Sequence, residues 1–117
     1  MKRQLLIGLD YDGTITADPE CFKAIIRCFQ SCGHRVYCVT MRHEELDWDK
    51  DFEELRDKYD VETIFCDGYA KRSVCQDRGL NIDIFIDDWP EGIAIDSIYT
   101  PIQLTEWRKE QKKLNAA

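Results

Sequence analysis

The chain has no apolar run long enough to cross a membrane, and its opening Met1-Lys2-Arg3-Gln4 leads into a short strand with no small-residue cleavage site. A cytoplasmic protein is the expectation, neither spanning a membrane nor exported. Positive charge is scarce. Against 23 Asp and Glu stand 16 Lys and Arg, a formal net charge of −7, which excludes a broad basic surface for nucleic acid and leaves room only for a local basic patch. No Cys-x-x-Cys pair occurs among the six cysteines, so neither a zinc clip nor a disulfide framework is spaced here. Cys21, Cys28 and Cys32 fall at helical spacing, and Cys38, Cys66 and Cys75 lie in or beside apolar stretches. All six read as small buried hydrophobes in a reducing compartment. No internal repeat, low-complexity segment or linker is visible, so residues 1–117 are expected to form one domain with a core of modest size. A hydrophobic fraction of 44% excludes wholesale disorder.

The positive content is organised around the first strand and the turn that ends it, Leu5-Leu6-Ile7-Gly8-Leu9-Asp10-Tyr11-Asp12-Gly13-Thr14-Ile15-Thr16. An apolar run that breaks into two carboxylates spaced i, i+2 reads as a buried strand delivering Asp10 and Asp12 to its carboxyl-end loop. Open α/β sheets place their chemistry at that edge. Two like charges beside a hydrophobic strand end each disfavour the other's ionisation unless a cation or hydrogen bonds compensate.

The rest of the chain alternates helix and strand. Asp18-Pro19-Glu20 is a helix start, with an Asp cap, Pro at the first helical position and an acid in the first turn. Phe22, Ile25, Ile26 and Phe29 then form one apolar face, and Gly33 is the stop. Val36 to Val39 is a second strand ending at Thr40, Met41 to Trp48 a polar loop, and Asp49 to Tyr59 a helix with Phe52 and Leu55 inward. Glu62 to Cys66 is a third strand, Asp67-Gly68 a turn, and Ala70 to Arg78 a helix that Gly79 terminates. Ile82 to Ile86 is a fourth strand, apolar enough for burial on both faces, and it stops at Asp87-Asp88-Trp89-Pro90. A short helical turn from Pro90, a strand near Ile98 to Tyr99 and a helix from Thr105 to Leu114 complete the expectation. The charges of that last helix read as a solvated face.

Such alternation implies a single Rossmann-like three-layer α/β domain, its mainly parallel sheet covered by helices on both faces through right-handed crossovers. Strand ends then converge on one edge, bringing Asp10 and Asp12, Thr40, Lys71, and Asp87 with Asp88 together. Each piece alone is weak. Together they assemble a cation site with a nucleophile, a hydroxyl and an ammonium group, which are the parts that phosphoryl transfer demands.

Leu9-Asp10-Tyr11-Asp12-Gly13-Thr14, Val36-Tyr37-Cys38-Val39-Thr40, Lys71 and Ile84-Phe85-Ile86-Asp87-Asp88, in that order over nearly the whole chain, resemble the motifs of the haloacid dehalogenase (HAD) superfamily. The resemblance implies a Mg2+-dependent phosphatase. Asp10 would be the nucleophile that forms an aspartyl-phosphate, and Asp12 the general acid/base. Thr40 and the backbone amide of Met41 would bind phosphoryl oxygens, with Lys71 neutralising charge. Mg2+ would be held by Asp10, the backbone carbonyl of Asp12, and Asp87, with Asp88 assisting directly or through water. Physical chemistry agrees: a carboxylate attacks an anionic phosphate poorly unless cations suppress the repulsion, and Mg2+ prefers a few hard oxygen ligands.

Most members of that family insert a cap domain, for which this chain has no room between its motifs. An open site suits a large phosphorylated substrate or a lid borrowed from a second copy in a homo-oligomer. Small phosphorylated molecules and macromolecules both stay open, the acidity disfavouring a polynucleotide. Arg42 and Arg72 are candidates to clasp a phosphate or carboxylate, solvated surface charge being the competing reading for each. Trp89 is a candidate to stack on a base or aromatic substrate, packing over a strand end being the preferred reading, and His34 and His43 are read as exposed, His43 being a minor candidate for a substrate contact. A phospho-acceptor receiver domain would carry its acidic pair first and its Lys last, the reverse of the order here. A catalytically silent HAD-like binding or scaffold module is the alternative from outside enzymes.

Overall fold

The computed structural model describes residues 2–97 together with Glu110, Lys113 and Leu114. The strand expected near Ile98 to Tyr99, and all but those three residues of the terminal helix expected to end at Leu114, lie outside the described residues. Among the described residues four strands form one all-parallel sheet in the order β3-β2-β1-β4: β1 (Leu6–Leu9), β2 (Arg35–Thr40), β3 (Glu62–Phe65) and β4 (Ile84–Ile86). The crossovers carry α1 (Pro19–Ser31), α2 (Lys50–Tyr59) and α3 (Lys71–Asp77), and α4 (Glu91–Ala94) follows β4. The Rossmann-like α/β class is therefore the observed one. Among the described residues no cap domain interrupts it, since a 3-10 turn (Ile15–Ala17) and α1 fill the first crossover and a loop and α2 the second.

Period-two alternation along the strands sorts the core into two layers. Ile7, Leu9, Val36, Cys38 and Val61 face Ile26 of α1 and Phe52 and Leu55 of α2. Tyr37, Val39 and Ile64 face the other way, against Cys75 of α3 and Ile82. Phe52 anchors the first layer, its ring 4.6 Å from that of Tyr11 and 5.2 Å from that of Phe65. Helix α1 begins as its sequence dictates: the Asp18 carboxylate accepts the Cys21 N–H at 3.2 Å and Pro19 occupies the first turn. The α2 start is equally local, with Asp49 accepting from the Asp51 amide at 2.9 Å. Helix α3 differs. Its entry at Ala70 has no side-chain cap of its own, and the Ala70 N–H donates instead to Asp96 Oδ1 at 2.7 Å, 26 residues away.

Three expectations need correction. Cys21, Cys28 and Cys32 are exposed, and Cys38, Cys66 and Cys75 are buried; Cys21 and Cys28 lie on α1 positions away from its buried face, and Cys32 caps the end of that helix. The fourth strand is shorter than Ile82 to Ile86 and, among the described residues, lies at the sheet edge, where Ile84 is 41% exposed. Burial on both faces belongs to central strands, and among the described residues β4 has only β1 beside it. His34 and His43 are half-buried, not exposed. The Nδ1 atom of His34 accepts the Leu5 N–H at 3.0 Å, and that of His43 accepts the amides of Glu45 and Leu46, both at 3.2 Å.

Phe52→Ala should destabilise the protein by about 3–5 kcal/mol, since the lost ring leaves a cavity that Tyr11 and Phe65 cannot fill. Urea unfolding measures it, and a loss below about 1 kcal/mol would mean that this layer is not close-packed around the ring.

Candidate functional site

Strand β1 is flanked by β2 on one side and β4 on the other, with Leu9 in register with both Cys38 and Ile86. The chain leaves β2 toward β3 but reaches β4 by crossing back over β1, and the carboxyl ends around such a switch point form a crevice. The Asp10 amide still donates to the Ile86 carbonyl at 2.9 Å, so Asp10 stands on the last rung of the sheet and its carboxylate opens directly onto the residues after β4.

Lys71, the first residue of α3, closes this crevice from the side. Its Nζ lies 2.7 Å from Asp10 Oδ1 and 2.6 Å from Asp87 Oδ2, with side-chain exposures of 1% for the lysine and 2% for each carboxylate. The second oxygens are also held: Thr14 Oγ1 donates to Asp10 Oδ2 at 3.0 Å, and the Trp89 amide to Asp87 Oδ1 at 2.9 Å. Asp88 completes the group, for one oxygen each of Asp10, Asp87 and Asp88 lie within 4.8 Å of one another. Gly13, at φ +83°, makes room for it; a Cβ there would collide with the Asp88 carboxylate.

Among the described residues, three carboxylates gather around the Lys71 ammonium. Burial pushes the Asp10 carboxyl up to about 7 against the opposing pull of Lys71, with the Asp87 charge and a hydrogen bond with Asp88 adding to the rise. Burial alone would lower Lys71, but the attraction of Asp10 and Asp87 outweighs it and leaves the lysine above its ordinary value. A cluster of hard oxygen donors that runs from buried Asp10 through half-buried Asp87 to exposed Asp88 could hold a hard metal ion.

Asp12 stands apart from that group. Arg42 grips both its oxygens, Nε to Oδ2 at 2.8 Å and Nη2 to Oδ1 at 2.7 Å. Thr40, buried at the end of β2, accepts the Arg42 amide on Oγ1 at 3.2 Å. Met41 is buried and its side chain packs with Trp89 over Gly92, so the Trp89 ring is a packing element as the sequence suggested. Arg72 is exposed on α3, with its guanidinium carbon 5.3 Å from the Phe85 ring centre. The His43 ring braces its own loop.

The structure thus brings Asp10, Lys71, Asp87 and Asp88 into one cluster and joins Asp12 to Arg42 and, through the Arg42 backbone, to Thr40. Sequence reading missed Thr14, which ties Asp10 to the Asp88 amide (3.2 Å to its Oγ1), and Asp96, whose cap places the start of α3 and hence Lys71. The Asp-x-Asp-Gly-Thr run contains the signal for Thr14, a hydroxyl four residues after the first carboxylate. Nothing local marks Asp96.

A pH dependence follows. The Asp10 pKa is raised from 3.8 to about 7 on folding, so the folded chain binds more protons than the unfolded one between those values. This contribution to stability is fully present below the lower value and is lost as pH rises through about 7. Metal-free protein should accordingly lose stability from pH 5.5 to pH 8 in urea unfolding, and saturating Mg2+, which favours the ionised form, should flatten or reverse that trend. A metal-free profile that rises over this range would contradict it.

Compared with protein-family models, curated proteins and solved structures, the chain matches none of them.

Proposed function

We propose that the chain is a Mg2+-dependent phosphomonoesterase of the HAD superfamily, working through an aspartyl-phosphate on Asp10. The observation that carries this reading is the buried Lys71 ammonium bridging Asp10 and Asp87 at 2.7 and 2.6 Å, with Asp88 beside them on the carboxyl edge of a parallel sheet. A merely structural ion pair has no need of a third carboxylate, and shutting Asp87 away beside Asp10 raises the cost of burying the pair.

The residues present fit Mg2+: Asp10, Asp87 and Asp88 would hold it, together with the Asp12 backbone carbonyl. When bound, the ion supplies positive charge that screens an approaching phosphate from these carboxylates. Asp10 attacks phosphorus, forming the acyl-phosphate bond as the ester oxygen departs, and Asp12 gives that oxygen its proton. Asp12 then removes a proton from water, whose oxygen attacks phosphorus, breaks the bond to Asp10 and releases inorganic phosphate. Lys71 neutralises charge on Asp10 throughout, and the Thr40 hydroxyl with the Met41 amide receives the phosphoryl oxygens. With no cap among the described residues, the site is open to a phosphoryl group on a large substrate or to a lid from a second copy. A cytoplasmic setting belongs to the same proposal: all six cysteines are free thiols and three of them are exposed. Among the described residues no helix is long and apolar enough to cross a membrane.

Hydrolysis of a generic aryl phosphate with Mg2+ tests the reading. Wild type should turn over, chelation should stop it, and Asp10→Asn should lower kcat by roughly 10³-fold or more. A wild-type protein inactive against phosphomonoesters at every size, or an Asp10→Asn variant as active as wild type, would overturn it in favour of a silent binding module.

A further inference from the structure

We infer that Arg42 is a positioning residue for Asp12, holding this fourth carboxylate apart from the three that face the cation site. The inference rests on the proposed phosphatase reading and deepens it by assigning a task to a residue that the sequence marks only as a candidate substrate contact. Asp12 is two residues from Asp10 in the same turn, yet among the described residues the 4.8 Å cluster is made by Asp10, Asp87 and Asp88 without it. Four carboxylates around one hard cation would leave none for proton transfer, because an acid that binds the ion through its oxygens is no longer placed to reach a leaving group. Arg42 prevents this by taking both Asp12 oxygens at 2.8 and 2.7 Å, a planar fork matched to a carboxylate.

The clamp is built and braced. Its third nitrogen, Nη1, donates to the Asp47 carbonyl at 2.9 Å, closing the loop that follows β2. The guanidinium carbon lies 5.0 Å from the ring centre of Tyr11 and 5.8 Å from that of Phe52, and Tyr11 is itself fixed by a 2.8 Å bond from its hydroxyl to Asp51. Every nitrogen of the guanidinium is thus spoken for by the protein, which sets Arg42 apart from a side chain waiting for a substrate anion. Lysine could not substitute, since a single ammonium cannot grip both oxygens and the Asp47 carbonyl together.

Mn2+ binding, followed by electron paramagnetic resonance on the full chain without substrate, tests this alongside steady-state hydrolysis of an aryl phosphate. Arg42→Gln and Arg42→Lys should each bind Mn2+ about tenfold more tightly than wild type, as Asp12 falls onto the ion. In an Asp12→Asn background the Arg42→Gln change should leave Mn2+ affinity unaltered. In the hydrolysis assay kcat should fall by about 10²-fold with KM within a few-fold of wild type. Unchanged Mn2+ affinity in both single variants, tightening that persists with Asp12→Asn, or a raised KM with kcat retained would each overturn the assignment, the last pointing to a substrate contact. Mn2+ binding is read without turnover. Wild type that binds Mn2+ but hydrolyses nothing therefore defeats the phosphatase reading while leaving the Arg42 assignment to its own test.

Discussion

Lys71 sits in a crevice with 1% of its side chain exposed, and the two carboxylates that hold it are equally shut away from water. An ammonium so placed is tolerable only if its attraction to Asp10 and Asp87 exceeds the desolvation of all three groups, which requires contact distances and filled hydrogen-bonding positions. The surrounding structure meets that requirement piece by piece. The sheet register sets Asp10 on the last rung beside β4, the Asp96 cap fixes where α3 begins, and Thr14 and the Trp89 amide take the outward oxygens. Remove any of these supports and one of three buried charges loses its compensation.

The same requirement explains why the site is suited to chemistry. Among the described residues the exposed Asp88 brings a third carboxylate to the two that hold Lys71, and burial keeps the Asp10 pKa raised despite its lysine. A site in that condition favours whatever adds positive charge, which is the condition for holding a divalent cation and then an anionic substrate. Arg42 and Asp12 form a second, separately braced ion pair beside it. On the proposed reading, dividing the acids into a cation-facing group and a single clamped carboxylate would let neighbouring residues of one turn do different work.

Much of this was legible in the sequence because the relevant signals are local. The apolar run into Asp10, the Asp18-Pro19 start of α1 and the Asp49 cap of α2 act within a few residues of themselves, and each appears where the residues place it. Convergence of Asp10, Lys71 and Asp87 was legible through topology, since a βαβ alternation sends every strand end to one edge. Relations between distant residues were not legible. The Asp96 cap on α3 joins positions 26 residues apart, and the Arg42 grip on Asp12 joins positions 30 apart; neither has a pattern of its own. Burial was misjudged for the same reason at Ile84 and on α1, where exposure depends on which element covers a face and not on how apolar a side chain is.

The central claim is that the paired charges at Asp10 serve covalent phosphoryl transfer, and trapping the intermediate tests it most directly. Protein mixed with Mg2+ and a phosphate ester, quenched in acid within the first turnover and mapped by peptide mass spectrometry, should carry one phosphoryl group on the peptide containing Asp10, removable by hydroxylamine as an acyl phosphate is. Hydrolysis that proceeds with no phosphoryl group on Asp10, or with one on another residue, would contradict the account.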